Sequence, residues 1–203
     1  MTELGNPFRL DLTNYLPRLL ARGLQRPFDS TFALKQLAPM YDEVSTHCRN
    51  TGADFVKCSL DKLNVTYNIP QDSLKRIPAT GPCVIVANHP YGGLEGAMMI
   101  DLLRRVRSDV KIMANFLLDR VPELTPNFIF VDPFRRNNSR KNNLLPLRKT
   151  FEHLKQGGLL VVFPSGTVSH FHWSKFEVTD PEWSDTIGRI VQQARCPVVP
   201  VFF

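Results

Sequence analysis

The chain has 203 residues, 43% of them hydrophobic and 22% charged. That balance supports a packed core and excludes a disordered polymer. The net charge of +6 and a pI near 9.3 suit a negatively charged partner, whether anionic lipid, acidic carrier protein or nucleic acid, and no apolar run approaches the roughly 20 residues that a membrane-spanning helix needs.

In residues 7 to 28, Leu16, Leu19, Leu20 and Leu24 lie near one helical face, with Arg18, Arg22 and Arg26 displaced from it. Such a basic amphipathic segment either packs on its own domain or lies on a membrane surface. Pro17 confines the helix to the residues after it. Ser30 is expected to cap a helical pattern through Leu34, Leu37 and Tyr41 that breaks at Pro39. Residues 53 to 63 read as another short helix, and the alternation in residues 65 to 69 reads as a strand. Residues 1 to 62 thus form a helical N-terminal region.

The pattern then changes. Short apolar runs at Cys83–Ala87, Val110–Ala114, Phe128–Val131, Leu159–Phe163 and Pro197–Phe203 alternate with helical stretches. Those helices are expected at residues 95 to 107 and 139 to 156, the second stopped by Gly157-Gly158. Asp180-Pro181 is expected to open a last helix that runs to about Ala194. Wholly apolar strands between helices predict an α/β domain over residues 63 to 203, with a largely parallel central sheet flanked by helices. The end of the sequence is a strand-like run with no polar tail, the pattern of an edge strand or of a chain that continues.

Cys48, Cys58, Cys83 and Cys196 form no C-x-x-C pair. Cys83 and Cys196 open apolar runs, so both read as buried thiols in a reducing compartment. No basic n-region followed by an apolar h-region starts the sequence. The expected location is cytoplasmic, peripheral on the inner face of the cell membrane.

The most informative segment follows the first apolar run: Asn88-His89-Pro90-Tyr91-Gly92-Gly93-Leu94-Glu95-Gly96. It places Asn88 and His89 at the carboxyl end of a strand, where open α/β sheets bind ligands. Gly92-Gly93 make a permissive loop, and Glu95 falls at the start of the next helix. Neutral imidazole takes a proton from a hydroxyl, while a neighbouring carboxylate orients the ring and stabilises the imidazolium. The alternative is a loop histidine that only bonds a carbonyl. No Ser or Cys stands in a nucleophile-elbow context, which favours direct transfer over a covalent intermediate. Farther on, a strand ending in Phe163-Pro164-Ser165-Gly166-Thr167 is expected to expose the N–H groups of Gly166 and Thr167 as anion or oxyanion donors. His170 and His172 alternate at strand spacing with no third ligand in view, so no metal site is expected. Arg104, Arg105 and Arg107 form one basic cluster; Arg135, Arg136, Arg140 and Lys141 form another. Each is either a solvated face or a docking patch for an acidic carrier or anionic headgroups.

Four segments in order resemble the four motif blocks of the glycerolipid (lysophosphatidic acid) acyltransferase superfamily. They are most similar to its hemolysin-like branch, which includes O-acyltransferases of ornithine-type aminolipids. The first block is Asn88 to Gly96, with Glu95 where that branch has Asp. The second is Lys111 to Pro122 with Phe130 to Phe134. The third is Phe163 to Ser169, with Ser165 and Val168 where the superfamily has Glu and Arg. The fourth is Pro197 to Pro200. The resemblance covers residues 78 to 203.

This resemblance implies transfer of a fatty acyl group from an acyl carrier protein or coenzyme A thioester to the hydroxyl of a lyso-lipid. It casts His89 and Glu95 as the catalytic pair. Asn88, Gly92, Gly93, Ser165, Gly166 and Thr167 would hold the oxyanion or acceptor. Lys111, Arg120, Arg135 and Arg136 would contact substrate or carrier. No cofactor is required. The missing Arg at Val168 points to a lyso-ornithine-type aminolipid rather than lysophosphatidic acid. The rivals are a lysophosphatidic acid acyltransferase and a lipid- or carrier-binding module without catalysis. A nucleic-acid partner, suggested only by pI, is not expected because no recognisable module interleaves basic and aromatic residues.

Overall fold

Five apolar runs rich in Val, Ile and Leu make one parallel sheet: β1 (Cys83–Ala87), β2 (Val110–Asn115), β3 (Phe128–Val131), β4 (Leu159–Val162) and a final strand, Val198–Val201. The computed structural model describes residues 7–8, 34–70, 72–132, 143–173 and 176–203. Two compact units divide the chain, Met1–Thr66 and Tyr67–Phe203.

In the first unit, α1 (Leu34–Thr51) and α2 (Phe55–Lys62) pair through one face each. Ala38, Tyr41, Val44 and Cys48 recur at helical spacing and are buried, as are Val56 and Leu60. Tyr41 and Phe55 meet edge to face at 5.9 Å. The Asp54 carboxylate caps α2 by accepting the Lys57 N–H at 2.9 Å. Pro39 does not break α1 as expected. It stands near the start of the helix, so its missing N–H removes a single bond from the first turns, and the apolar face beyond it carries the helix on to Thr51. The amphipathic segment with Arg18, Arg22 and Arg26, and the Ser30 cap, lie outside the described residues.

In the second unit the strand order is β3-β2-β4-β1 and then Val198–Val201 at the far edge, all parallel. The connections are α3 (Gly93–Leu103), α4 (Leu144–Lys155) and, after a hairpin of β5 (His170–His172) and β6 (Glu177–Thr179), α5 (Thr186–Ala194); the edge strand is β7. Alternate residues Val84, Val86, Leu160 and Val162 form a core with Leu154 of α4 and Ile190 of α5. On the opposite face Gly96 of α3 meets the ring of Phe128. Helices therefore cover both faces, which is why β1 and β4 are buried along their whole length. Each fully buried Val, Leu or Ile contributes about 1.5–3 kcal/mol. The α/β architecture with a helical N-terminal part is the one the apolar runs predict.

Some elements differ from the sequence reading. Residues 65–69 form no strand. Asn64 turns the chain at φ 53°, and the Tyr67 hydroxyl donates to Asp101, with Arg105 donating to both oxygens at 2.8 and 2.9 Å. Burial and then the Asp101 carboxylate push the Tyr67 pKa up to about 12. The arginine cluster of residues 104–107 is split, with Arg104 and Arg105 exposed and Arg107 withdrawn from the surface. Arg104 bonds Asn127 Oδ1 at 2.8 Å, and Arg107 is buried, donating to the carbonyls of Pro78, Gly81 and Gly157 and to both Asp109 oxygens. Gly158 is more than a helix stop, because a side chain there would strike the His153 ring. The helix expected from Asp180 begins only at Thr186, since Asp180 is used elsewhere.

Candidate active site

Because all five strands are parallel, their carboxyl ends share one edge of the sheet. The residues just beyond β1 and β4 meet there. His89 stacks on the Phe163 ring at 4.4 Å and 23°. Its Nδ1 lies 3.6 Å from Glu95 Oε1, slightly beyond hydrogen-bond reach, and is buried. Catalytic hydrogen bonds are often long before substrate binds and tighten in the complex. The imidazole is 18% exposed and Glu95 fully buried.

Glu95 is the third residue of α3, whose N-cap, Gly92, offers no capping side chain. Glu95 Oε1 accepts the Tyr91 N–H instead, a variant of the capping box, and its charge faces the positive end of the helix dipole. Oε2 is buried with no partner among the described residues. Gly92 adopts φ 74°, ψ −123°, a region closed to other residues, and Val168 packs at contact distance from where a Cβ would stand. The loop thus puts a carboxylate six residues from His89 back against its ring.

A second acid joins them. Asp180 Oδ1 accepts the His89 N–H at 3.1 Å and the Ser169 hydroxyl, and Oδ2 accepts Trp183 Nε1 at 2.9 Å. The Ser169 N–H donates to the His89 carbonyl at 2.8 Å. Burial works to raise the Asp180 pKa, but the donors from Ser169, Trp183 and His89 together hold it below the ordinary carboxylate range. A partly shielded imidazole with Nδ1 facing a buried carboxylate is equipped to take and return a proton at its other nitrogen, Nε2.

Residues 68–203 of the chain match the acyltransferase family.

The chain belongs to that family.

It is 26% identical over 158 residues to the lyso-glycine lipid O-acyltransferase of Phocaeicola vulgatus, covering 75% of this chain and 52% of the relative. The protein of the same name from Bacteroides thetaiotaomicron is also 26% identical over 158 residues, covering 75% and 53%. The chain spans about half the length of these curated relatives.

The other site residues expected in this acyltransferase domain fall in different places. Asn88 spends its side chain on Phe203, accepting its N–H at 2.8 Å and donating to its carbonyl at 3.4 Å. It therefore ties the ends of β1 and β7. Gly166 closes a turn by donating its N–H to Phe163 O at 3.0 Å, so that amide is not a free oxyanion donor. Ser165 Oγ donates to Thr167 O at 2.8 Å. The amides of Thr167 and Gly93 have no partner among the described residues. Lys111 stands near the amino end of β2, away from the His89 edge, and its ammonium donates to the Pro126 carbonyl. Arg120 ends the turn that follows β2 and is exposed. Arg135 and Arg136 lie outside the described residues.

Phe163, Ser169, Asp180 and Trp183 are the site neighbours that sequence reasoning missed. Phe163 and Ser169 stood inside the third block, but nothing in the spacing linked either to His89. Asp180 carried a helix-start signal, and its true partner is 91 positions away. Burial pushes the Cys83 and Cys196 thiols up, as expected for inert core cysteines. Among the described residues, no three His, Cys, Asp or Glu side chains are placed to hold a metal ion, and no helix is long and apolar enough to cross a membrane.

Proposed function

We propose that the chain transfers a fatty acyl group from an acyl thioester to the hydroxyl of a lyso-lipid. The observation that carries this reading is His89 held against buried Glu95 at the carboxyl edge of an acyltransferase-family sheet. His89 Nε2 takes the acceptor hydroxyl proton as the oxygen attacks the thioester carbonyl. Glu95 orients the ring and stabilises the imidazolium. The tetrahedral oxyanion meets the amides of Thr167 and Gly93, the latter at the positive end of α3. Collapse breaks the C–S bond, and the thiolate leaves with the proton from His89. Ester and free thiol are the products, and the reaction needs no metal or organic cofactor. Donor thioesters of either acyl carrier protein or coenzyme A fit this chemistry.

The acceptor in this reading is a lyso-lipid with an amino-acid headgroup. Val168 stands where the superfamily's phosphate-contacting Arg would be, and the relatives are named for lyso-glycine lipid. Lyso-ornithine lipid belongs to the same chemical class. A membrane surface is part of the reading. The outward face of the β5–β6 hairpin carries exposed Phe171, Trp173, Phe176 and Val178, an aromatic composition suited to a lipid interface. The site of action is then peripheral, on the cytoplasmic face of the membrane. A labelled acyl-transfer assay tests the proposal with both thioesters against lyso-glycine lipid, lyso-ornithine lipid and lysophosphatidic acid. Preference for either aminolipid is expected. Preference for lysophosphatidic acid would overturn the acceptor assignment, and acyl-chain binding without transfer would reduce the chain to a lipid-binding module.

A further inference from the structure

Glu95 orients the His89 ring, but it does not hold the main chain on which the ring stands. That chain leaves β1 in an irregular loop, where a displacement of about 1 Å can cost about 100-fold in rate. Both main-chain polar groups of His89 are taken by one distant segment: the N–H goes to Asp180 Oδ1 at 3.1 Å and the carbonyl to the Ser169 N–H at 2.8 Å. Ser169 and Asp180 flank the hairpin of β5 and β6, and its base is closed by the Ser169 hydroxyl on the same Asp180 oxygen. Trp183 Nε1 holds the second oxygen at 2.9 Å, and the Ser184 N–H bonds Pro164 O at 3.0 Å. One carboxylate therefore gathers donors from three stretches of chain and joins the loop after β1 to the loop after β4.

We propose that Asp180 is a positioning residue for His89, fixing the histidine's main chain through its N–H and through Ser169 without touching substrate. The inference rests on the reading of His89 as general base. The carboxylate is held ionised by its donors, so these bonds are charge-assisted and stronger than neutral ones. Asp180 and Glu95 are the two acids facing His89, and they divide the work: Glu95 sets the ring, Asp180 the backbone.

The test compares Asp180→Ala, Asp180→Asn and, as a charge-loss control, the exposed neighbour Glu182→Gln, each in the full chain. Two readouts are taken. One is acyl transfer. The other is nuclear magnetic resonance of protein carrying ¹⁵N-histidine, with the His89 signal among the five histidines identified by its loss in His89→Ala. Asp180→Ala is expected to lower kcat about 10- to 100-fold with KM unchanged, consistent with misplacement of a catalytic group. It should also broaden or split the His89 ring signals and leave those of His47 and His153, which lie outside the hairpin, alone. Asp180→Asn, whose carbonyl oxygen still accepts the His89 N–H but whose NH2 cannot accept from Trp183, should recover part of both, and Glu182→Gln should match the parent. A single unshifted His89 signal in Asp180→Ala would overturn the proposal. So would changes spread over all histidines with Asn no better than Ala, which would make Asp180 a general structural residue. If the parent protein transfers no acyl group while the His89 signals respond as described, the functional reading fails and the positioning role stands.

Discussion

His89 and Glu95 are six residues apart, and a single turn of loop and helix brings them together, so their partnership is legible in sequence. The geometry adds the reason for the carboxylate's orientation: Oε1 is pinned by the Tyr91 N–H and cannot swing away from the imidazole. Glu95→Gln keeps that acceptor and the side-chain volume but removes the charge that stabilises the imidazolium. It should lower kcat about 10- to 100-fold with KM little changed, less than the ~10⁴ that the equivalent amide substitution costs a serine triad, because the Nδ1–Oε1 distance is already long. Steady-state kinetics with a circular dichroism check of the fold measures this, and an unchanged kcat would remove Glu95 from the mechanism. Asn88, Gly166 and Lys111 each bond main chain that their motifs do not reveal. Sequence shows which polar groups a motif contains but not which are already spent on neighbouring main chain.

At the scale of elements, the strands were the readable part, because a run of four or five apolar β-formers between turn residues has few other uses. The helix starts were not. Pro39 and Asp180 are local signals that tertiary contacts overrode, one through an apolar face that continues past it and the other through a carboxylate drawn to His89. Arg107 shows the same limit at the opposite edge of the sheet, where it closes three loops and pairs with Asp109 at 2.6 and 2.7 Å. The Arg107 guanidinium hydrogen bonds lower the Asp109 pKa from its ordinary 3.8, against burial, which would raise it. A depressed carboxylate stabilises the fold fully above that ordinary value and loses its contribution as pH falls through the lowered one. Asp109→Asn should therefore cost about 1 kcal/mol at neutral pH, a screened figure because the Asp109 side chain is partly exposed. The difference from the parent should fade below pH 3.8. Urea melts across that range read it, and a constant difference would show that the ion pair is not its source.

At the scale of the whole molecule, a net charge of +6 and an exposed aromatic hairpin suit a protein that meets its substrate at a lipid surface. The two features respond differently to salt, since attraction to anionic headgroups is screened and apolar insertion is not. Sedimentation with anionic vesicles should show binding that falls with salt to a residue that persists. Trp173→Ala combined with Phe176→Ala should abolish the persistent part. Full salt sensitivity in the parent protein would place the contact on basic residues alone. The chain spans about half the length of its relatives, so these measurements are best made on both this chain and any longer form.

The central claim is that His89 is the general base of an acyl transfer, and His89→Ala tests it most directly. Labelled acyl transfer to lyso-glycine and lyso-ornithine lipids, run beside a thermal melt, should show a rate lower by about 10²- to 10⁴-fold with the melting temperature preserved. Undiminished transfer by the folded variant would contradict the account.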